Sequence, residues 1–168
     1  SPGDKGDAIQ AAQAIGAATE LMDDAWWGAS SLPPDSDWPA FSVYERSTPG
    51  SIMVDTSGKR FVNESSSYID VGHAMLALNP GGEPQPTWLI MDASHRRRYL
   101  FGMGVPGVTP KAWLHSGYMK KAASLDDLAR QCGIEAAGLK ATVERFNGFA
   151  RSGRDLDFNR GDSAYDRY

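Results

Sequence analysis

The sequence has little that would tie it to a membrane, to a disulfide framework or to nucleic acid. None of its apolar runs approaches the ~20 residues that a membrane-spanning helix needs, and Cys132 is its single cysteine. One cysteine excludes an internal disulfide, so we expect a reducing, cytoplasmic setting. A net charge of -4 excludes the concentrated basic face that binding to nucleic acid requires. The three arginines at 96–98 are typical of a solvated helix face.

Several kinds of functional site are also missing. The Gly-x-Ser-x-Gly motif is absent, which excludes the nucleophile elbow of the α/β-hydrolases. None of the three histidines has the spacing of a metal ligand, so we expect no metal site. The glycines at 102–107 have the spacing of the dinucleotide fingerprint, but that motif requires a preceding strand and a following helix. Pro106 and Pro110 block such a helix, so we predict a loop there.

The composition is typical of one folded domain. Hydrophobic residues make up 41% and charged residues 23% of the 168 positions, close to the average of globular proteins. Strand and helix patterns follow each other in mixed order, without the regular βαβ alternation of a doubly wound sheet and without an internal repeat. We therefore predict an α+β fold with a small, mainly antiparallel sheet and flanking helices.

Periodicity and turn residues locate the elements of the first half. Apolar residues at helical spacing predict helices over 7–18 and 64–78. Apolar and polar residues alternate on both sides of a Thr-Ser-Gly-Lys turn, which predicts a β-hairpin over 51–63. Short apolar runs predict strands over 19–27 and 88–91, and the Pro/Ser/Asp-rich stretch between the first strand and the hairpin is predicted to be a surface loop.

The remainder of the chain is predicted to be mainly helical. Ser94 is a candidate N-cap for a short helix that carries the arginines. Ser124 and Asp127 resemble a capping box at the start of another helix, which Gly133 closes. A longer helix is predicted over 136–150, and the polar stretch after it is predicted to be loop.

Six segments, in order along nearly the whole chain, resemble the 3-ketosteroid Δ1-dehydrogenases. They are Gly6-Asp7-Ala8-Ile9, Ala25-Trp26-Trp27-Gly28, Glu45-Arg46-Ser47-Thr48-Pro49-Gly50-Ser51-Ile52, Gly58-Lys59-Arg60-Phe61-Val62-Asn63-Glu64, Glu144-Arg145-Phe146-Asn147-Gly148-Phe149 and Gly161-Asp162-Ser163-Ala164-Tyr165-Asp166-Arg167-Tyr168. That family belongs to the fumarate reductase-like flavoproteins, in which a Rossmann-type domain holds FAD and an inserted α+β domain closes over the substrate.

The resemblance implies a place for this chain in such an enzyme. Residues 1–168 would form a single substrate-covering domain, and the glycine-rich FAD fingerprint and the Tyr-Pro-Gly-Pro-Gly segment of the family lie outside the chain. The FAD-binding domain of the same polypeptide would then be its partner. By the same resemblance, the isolated chain is expected to bind no FAD and to be inactive.

The resemblance also implies a chemistry, in which hydrogen leaves carbons 1 and 2 of the steroid A ring. One hydrogen goes to FAD as hydride and the other goes as a proton to a tyrosine base, whose matching position is Tyr68. A phenol with a pKa of about 10 needs a neighbour or field that favours phenolate, which the family supplies with a second tyrosine from the FAD domain. Tyr44 and Phe101 are candidates to face the flat, apolar steroid, and Gly6 and Asp7 match a segment that approaches FAD.

The sequence leaves several functions open. From the residues alone, Tyr68 on an apolar helix face is more typical of a packed core than of a catalytic base, and Tyr44 and Phe101 are as typical of a core as of a binding site. A fumarate or succinate oxidoreductase would need an arginine to deliver a proton, and Arg46 lies close to that position. However, the spacing from Arg46 to Gly50 is one residue longer than in those enzymes, and Pro49 lies between the two. The sequence Asp24-Ala25-Trp26-Trp27 stands where the superfamily has His-Pro-Thr. A 3-ketosteroid Δ4-dehydrogenase and a non-catalytic lipid-binding or lid module are also compatible with the sequence.

Overall fold

Two pairs of antiparallel strands and a series of helices make up the described part of the chain. A computed structural model describes residues 3, 5–79, 81, 85–102 and 104–167. In chain order its elements are α1 (Asp7–Ala14), β1 (Ser30–Ser31), β2 (Ala40–Phe41), α2 (Tyr44–Ser47), β3 (Ser51–Val54), α3 (Tyr68–Ala77), β4 (Trp88–Met91), α4 (Ala93–Arg98), α5 (Lys111–His115), α6 (Leu125–Cys132), α7 (Ala136–Ser152) and a 3₁₀ helix (Ala164–Arg167). Among these elements, no helix is long and apolar enough to cross a bilayer.

The pair β3 and β4 lies at the centre of the packing. The two strands run antiparallel, with Val54 opposite Trp88, and every residue of β3 is buried. Because successive side chains of a strand point to opposite faces, Ile52 and Val54 join one hydrophobic cluster and Met53 joins another. The strand pair is therefore covered on both faces.

Helices α6 and α7 cover the face that carries Ile52 and Val54. Ala129 from α6, Leu139 from α7 and Ile134 between the two helices pack against these strand residues. Leu139 is fully buried, and burial of a side chain of this size contributes roughly 1.5–3 kcal/mol. This cluster holds the second half of the chain to the central strands.

Helix α3 covers the opposite face. Its fully buried Val71 packs with Met53, Val62 and Ala29, and Gly72 lies so close to Trp27 that an added Cβ would be 2.6 Å from that residue. The packing of Val71 fixes the first turn of α3 against the strands. This packing therefore also sets the position of Tyr68, the first residue of α3.

The α+β prediction agrees with these elements, but the expected strand pairing is wrong. The described residues form two sheets of two strands each instead of one small sheet. The hairpin predicted over 51–63 is reduced to one bridge between Val54 and Arg60, because β3 pairs with the distant β4 instead. The strand predicted over 19–27 does not form, and β1 and β2 arise at the two ends of the predicted surface loop.

The helix predictions agree best with the structure where capping residues set the ends of the helix. Ser124 accepts a hydrogen bond from the Asp127 amide at 3.1 Å, and Gly133 ends α6 in the left-handed conformation, as predicted. The short helix α4 is capped by Asp92 rather than by Ser94. The helix predicted over 64–78 begins only at Tyr68. The polar C-terminal stretch forms a 3₁₀ helix where loop was expected.

Candidate functional site

Tyr68 is the first residue of α3 and lies at the edge of the packed interior. The N-cap residue Ser67 accepts a hydrogen bond from the Asp70 amide at 3.2 Å, which fixes the start of the helix. The Tyr68 ring is half-buried and meets the Phe41 ring edge-on, with the ring centroids 5.3 Å apart. Within the described residues the Tyr68 hydroxyl has no hydrogen-bond partner. The atom is not fully buried, since it is not among the buried polar atoms without a partner. The hydroxyl therefore keeps some exposure to solvent.

The loop that leads into α3 is held by buried charges. Glu64 is fully buried, and its carboxylate accepts hydrogen bonds from Arg60 at 2.7 and 2.8 Å. The same carboxylate accepts from Arg160 at 3.1 Å and from the Met53 amide at 3.0 Å. Arg60 also pairs with Asp155 at 2.9 Å. These bonds tie the loop to β3 and to the C-terminal segment at the same time.

Arg60 and Asp155 keep their charges although they are buried. Burial lowers the pKa of Arg60, but the hydrogen bonds to Glu64 and Asp155 outweigh it, so the pKa lies above its ordinary value. Burial likewise raises the pKa of Asp155, and the hydrogen bond from Arg60 outweighs it and holds that pKa below its usual range. The ion pair between Arg60 and Asp155 therefore persists at neutral pH.

Arg46 lies below the same loop and does not reach an open surface. It is 2% exposed. Its guanidinium donates hydrogen bonds to the backbone carbonyl of Ser42 at 3.0 Å, to that of Ser66 at 2.8 Å, and to that of Glu64. An arginine that delivers a proton to a substrate must reach the substrate, so this burial weighs against the fumarate-type role considered for Arg46.

Two sets of packed aromatic rings, Phe41 with Tyr68 and Phe101 with Trp113 and Tyr118, are joined through the strand pair β1 and β2. Together with Tyr44, which follows β2 in the chain, we call them the aromatic cluster. The Tyr118 ring meets the Trp113 ring edge-on with centroids 5.3 Å apart, and Trp113 meets Phe101 in the same way at 5.9 Å. The Tyr118 hydroxyl lies 2.7 Å from the Ser31 hydroxyl oxygen, which joins this end of the cluster to β1.

The two sequence-predicted substrate residues, Tyr44 and Phe101, lie on segments that one hydrogen bond joins. Tyr44 begins α2 and its side chain is 45% exposed. Phe101 is half-buried against Trp113. The carboxylate of Glu45 accepts a hydrogen bond from the Gly102 amide at 2.9 Å, so α2 is fastened to the segment that carries Phe101. Tyr44 is therefore available to a ligand, whereas Phe101 also serves the packing.

Phe41, Trp113 and Tyr118 were not predicted as members of the site. Phe41 lies in a two-residue strand directly after the Pro/Ser/Asp-rich stretch that was predicted to be loop. Trp113 and Tyr118 follow a Gly/Pro-rich stretch that already contains Phe101. Three aromatic residues within 101–118 were the sequence signal that could have indicated Trp113 and Tyr118.

Gly6 and Asp7, the candidates for a contact with FAD, lie at the exposed start of α1. No residue of α1 is buried, and the N-terminus of the helix has no side-chain cap. A Cβ added to Gly6 would meet nothing within 4 Å, so another group has room to approach the backbone there. These residues fit a contact at the edge of a cofactor. Gly6 and Asp7 do not enclose a cofactor, and the Asp7 carboxylate would repel an anionic group such as a phosphate.

The loop predicted over the glycines at 102–107 is consistent with the surrounding elements. Helix α4 ends at Arg98 and α5 begins at Lys111, so the described residues supply neither the entering strand nor the leaving helix of a dinucleotide fingerprint. Met103 lies outside the described residues. Phe101, directly before this segment, packs on Trp113.

Comparison with known proteins assigns the chain to a class. The family described as "FAD binding domain" matches residues 1–168, so the chain belongs to that family. Within it, the chain is 50% identical to the 3-oxosteroid 1-dehydrogenase of Mycolicibacterium smegmatis over 169 residues, which cover 97% of this chain and 29% of that enzyme. The chain thus spans less than a third of this relative.

Two solved structures resemble the fold. The crystal structure of 3-ketosteroid delta1-dehydrogenase from Sterolibacterium denitrificans in complex with 1,4-androstadiene-3,17-dione matches with a TM-score of 0.84 and 41% identity, covering 100% of this chain and 31% of that chain. The open conformation of a flavocytochrome c3 fumarate reductase matches with a TM-score of 0.56 and 27% identity, covering 92% and 25%. The likeness to the steroid enzyme is the stronger of the two in both respects.

Proposed function

We propose that this chain is the substrate-covering, catalytic part of an FAD-dependent dehydrogenase that introduces the 1,2 double bond into 3-ketosteroids. The observation that carries the proposal is the position of Tyr68. Its phenol is half-buried beside Phe41, outside the core and without a hydrogen-bond partner among the described residues. The high identity to 3-oxosteroid 1-dehydrogenases supports the same assignment. The chain spans 29% of that relative, and we propose that most of the FAD site lies in polypeptide outside it.

The proposed role of Tyr68 is that of general base. The ketone at carbon 3 of a steroid acidifies the protons on carbon 2, since the negative charge that develops on deprotonation spreads onto the ketone oxygen. Tyr68, as phenolate, takes the proton from carbon 2. FAD, when bound, accepts the hydride from carbon 1. The loop before α3 holds the phenol in one place during this transfer, which is a condition for efficient proton transfer.

The aromatic cluster is proposed to bind the flat steroid. Tyr44 offers an exposed ring, and Phe101 offers part of its ring while it packs on Trp113. Apolar and aromatic surface with few polar groups is what a steroid requires from its site. Gly6 and Asp7 are proposed to contact the edge of FAD. The single free thiol, Cys132, is consistent with a cytoplasmic enzyme.

A fumarate or succinate oxidoreductase remains the second candidate of the same superfamily. It would need cationic side chains on an open surface to hold a dicarboxylate. Arg46, the residue considered for this chemistry, is buried against backbone carbonyls. This observation favours the steroid over the dicarboxylate as substrate.

The experiment that tests the proposal uses the full-length enzyme that contains this domain. It is supplied with 4-androstene-3,17-dione and an artificial electron acceptor, and the wild type is compared with Tyr68→Phe. Loss of a general base lowers kcat by about 10²- to 10⁴-fold, and the identified product separates 1,2 from 4,5 desaturation. The matched control is Tyr99→Phe, which removes the same hydroxyl from a residue outside the aromatic cluster and keeps normal turnover.

Two results would contradict the proposal. Unimpaired turnover of the steroid by the Tyr68→Phe enzyme would remove Tyr68 as the base. A wild-type enzyme that reduces fumarate and leaves the steroid unchanged would favour the second candidate.

A further inference from the structure

The guanidinium of Arg46 joins two segments that are distant in sequence. One is the end of β2, where the carbonyl of Ser42 accepts its hydrogen bond at 3.0 Å. The other is the loop before α3, where the carbonyls of Glu64 and Ser66 accept the others. A guanidinium is planar and carries five N–H donors in fixed directions. One buried side chain therefore sets the distance between the two segments.

Each of the two segments carries a residue of the proposed active site. Phe41 directly precedes Ser42 and Tyr44 follows it by two positions, while Tyr68 follows Ser66 by two positions. The edge-on contact between Phe41 and Tyr68 lies where the two segments meet. The carbonyls of Ser42, Glu64 and Ser66 are thus each within a few residues of an aromatic side chain in this contact.

We propose that Arg46 is a positioning residue that sets the Tyr68 phenol relative to Phe41 and Tyr44. The inference rests on the proposed function, and it adds a residue that touches neither substrate nor cofactor. Without the guanidinium, the phenol moves relative to the ring that borders it. A displacement of about 1 Å at a reacting group costs up to about 100-fold in rate.

Other contacts keep the same segments folded when Arg46 is changed. The Ser65 hydroxyl donates to the carbonyl of Ser47 at 3.4 Å, and Arg160 donates to the same carbonyl at 2.9 Å. Val62 and Val71 anchor both sides of the loop in the hydrophobic cluster. The loop is therefore expected to stay attached in Arg46 variants while the phenol at its end loses its fixed place.

The test compares Arg46→Lys and Arg46→Ala with the wild type in the full-length, FAD-loaded enzyme. Lysine keeps the charge, but its donors sit on one nitrogen and cannot reach the Ser42 and Ser66 carbonyls in the same geometry. We expect kcat for the steroid to fall about 10- to 100-fold in both variants, with a smaller change in KM. Guanidinium ion, added well below denaturing concentrations, is expected to restore part of kcat in Arg46→Ala.

The control variant is Leu139→Ala, which removes a fully buried side chain from the opposite hydrophobic cluster. It lowers the thermal midpoint through a cavity and leaves kcat unchanged. If Leu139→Ala lowers kcat as much as the Arg46 variants at equal loss of thermal midpoint, Arg46 acts through stability alone and the inference is overturned. Normal kcat in folded Arg46→Lys overturns it as well.

A second readout does not depend on turnover. Fluorotyrosine placed at position 68 reports by fluorine NMR on the contact with Phe41, and fluorotyrosine at position 99 serves as the reference. Arg46→Lys is expected to shift or broaden the signal of position 68 and to leave that of position 99 unchanged. An unchanged signal at position 68 refutes the positioning role even if the enzyme proves inactive on steroids. Failure of the proposed function would be seen in a different result: either the wild-type enzyme does not turn over the steroid, or the Tyr68→Phe enzyme turns it over at the wild-type rate.

Discussion

Individual charged residues carry much of the architecture around Tyr68. Glu64 receives hydrogen bonds from two arginines and a backbone amide, and Arg60 shares its guanidinium between Glu64 and Asp155. Removal of one partner from such a buried network leaves an uncompensated charge, which is far costlier than loss of a surface pair. The same residues that make the loop rigid therefore make it sensitive to substitution.

His95 is a second buried ionisable residue, and its surroundings favour the neutral imidazole. Nδ1 lies 3.1 Å from the carbonyl of Pro49 and accordingly donates to it, while Nε2 is buried without a partner among the described residues. Burial lowers the pKa of His95 below its ordinary value; nearby Arg96 and Arg160 act in the same direction, and the Pro49 carbonyl and Asp92 oppose it.

This environment predicts a loss of stability in mild acid. Because the pKa is lower in the folded than in the unfolded state, His95 contributes stability that is fully present above about pH 6.5 and is lost as the pH falls through the folded pKa. The free energy of unfolding, measured with urea at a series of pH values, should fall less steeply below about pH 6.5 in His95→Gln than in the wild type. Parallel slopes in the two proteins would contradict the assignment.

At the scale of elements, the turn after β3 sits directly on the start of α7. The amide of Glu135 donates to the carbonyl of Thr56 at 2.9 Å. A Cβ added to Gly138 would lie 1.9 Å from the Ser57 carbonyl oxygen, and one added to Gly58 would lie 2.3 Å from the Leu139 nitrogen. The backbones of turn and helix therefore touch, and this contact aligns α7 with the central strands.

A pair of glycine substitutions tests this contact. Gly58 and Gly133 both have a positive φ, 76° and 68°, so alanine costs roughly 1–2 kcal/mol of conformational strain at either position. At Gly133 the added methyl meets nothing within 4 Å, whereas at Gly58 it collides with the α7 backbone. We expect Gly58→Ala to lower the free energy of unfolding by about 1–3 kcal/mol more than Gly133→Ala. Equal losses in denaturant unfolding would show that the turn and the helix do not meet.

At the scale of the whole molecule, the N-terminal quarter of the chain leaves large apolar side chains in solvent. Those exposed by more than a third are Ile9, Ile15, Leu21, Met22, Trp26, Trp27, Leu32, Trp38 and Phe41. Large exposed apolar surface is typical of contact sites. It is consistent with the proposal that further polypeptide, with the FAD-binding domain, covers this part of the chain.

The proposed division of labour predicts the behaviour of the isolated chain. Gly6 and Asp7 fit only an edge contact with FAD, and the chain spans 29% of its M. smegmatis relative. Residues 1–168 expressed alone should therefore be purified as a colourless protein that does not oxidise 3-ketosteroids, while the full-length enzyme prepared in parallel is yellow. Visible absorbance spectra make the comparison. A yellow isolated chain would show that the cofactor site lies within these residues.

Local features of this protein could be predicted from its sequence. The cap of Ser124 with Asp127 and the end of α6 at Gly133 depend on hydrogen bonds between residues at most a few positions apart. The strand Trp88–Met91 could be predicted because its apolar run is bounded by turn residues. Tyr68 could be singled out only through the resemblance to a family, and its role stays a prediction.

The tertiary structure alone decided which distant residues meet. An alternating pattern specifies the buried face of a strand but not its partner, so β3 pairs with β4 across the intervening helix α3 rather than with the nearby residues of the expected hairpin. The ionic bonds of Arg60 to Asp155 span 95 positions. The burial of Arg46 under the loop before Tyr68 likewise depends on two segments brought together by packing. Such contacts follow from the fit of whole surfaces, which the spacing of residues along the chain does not encode.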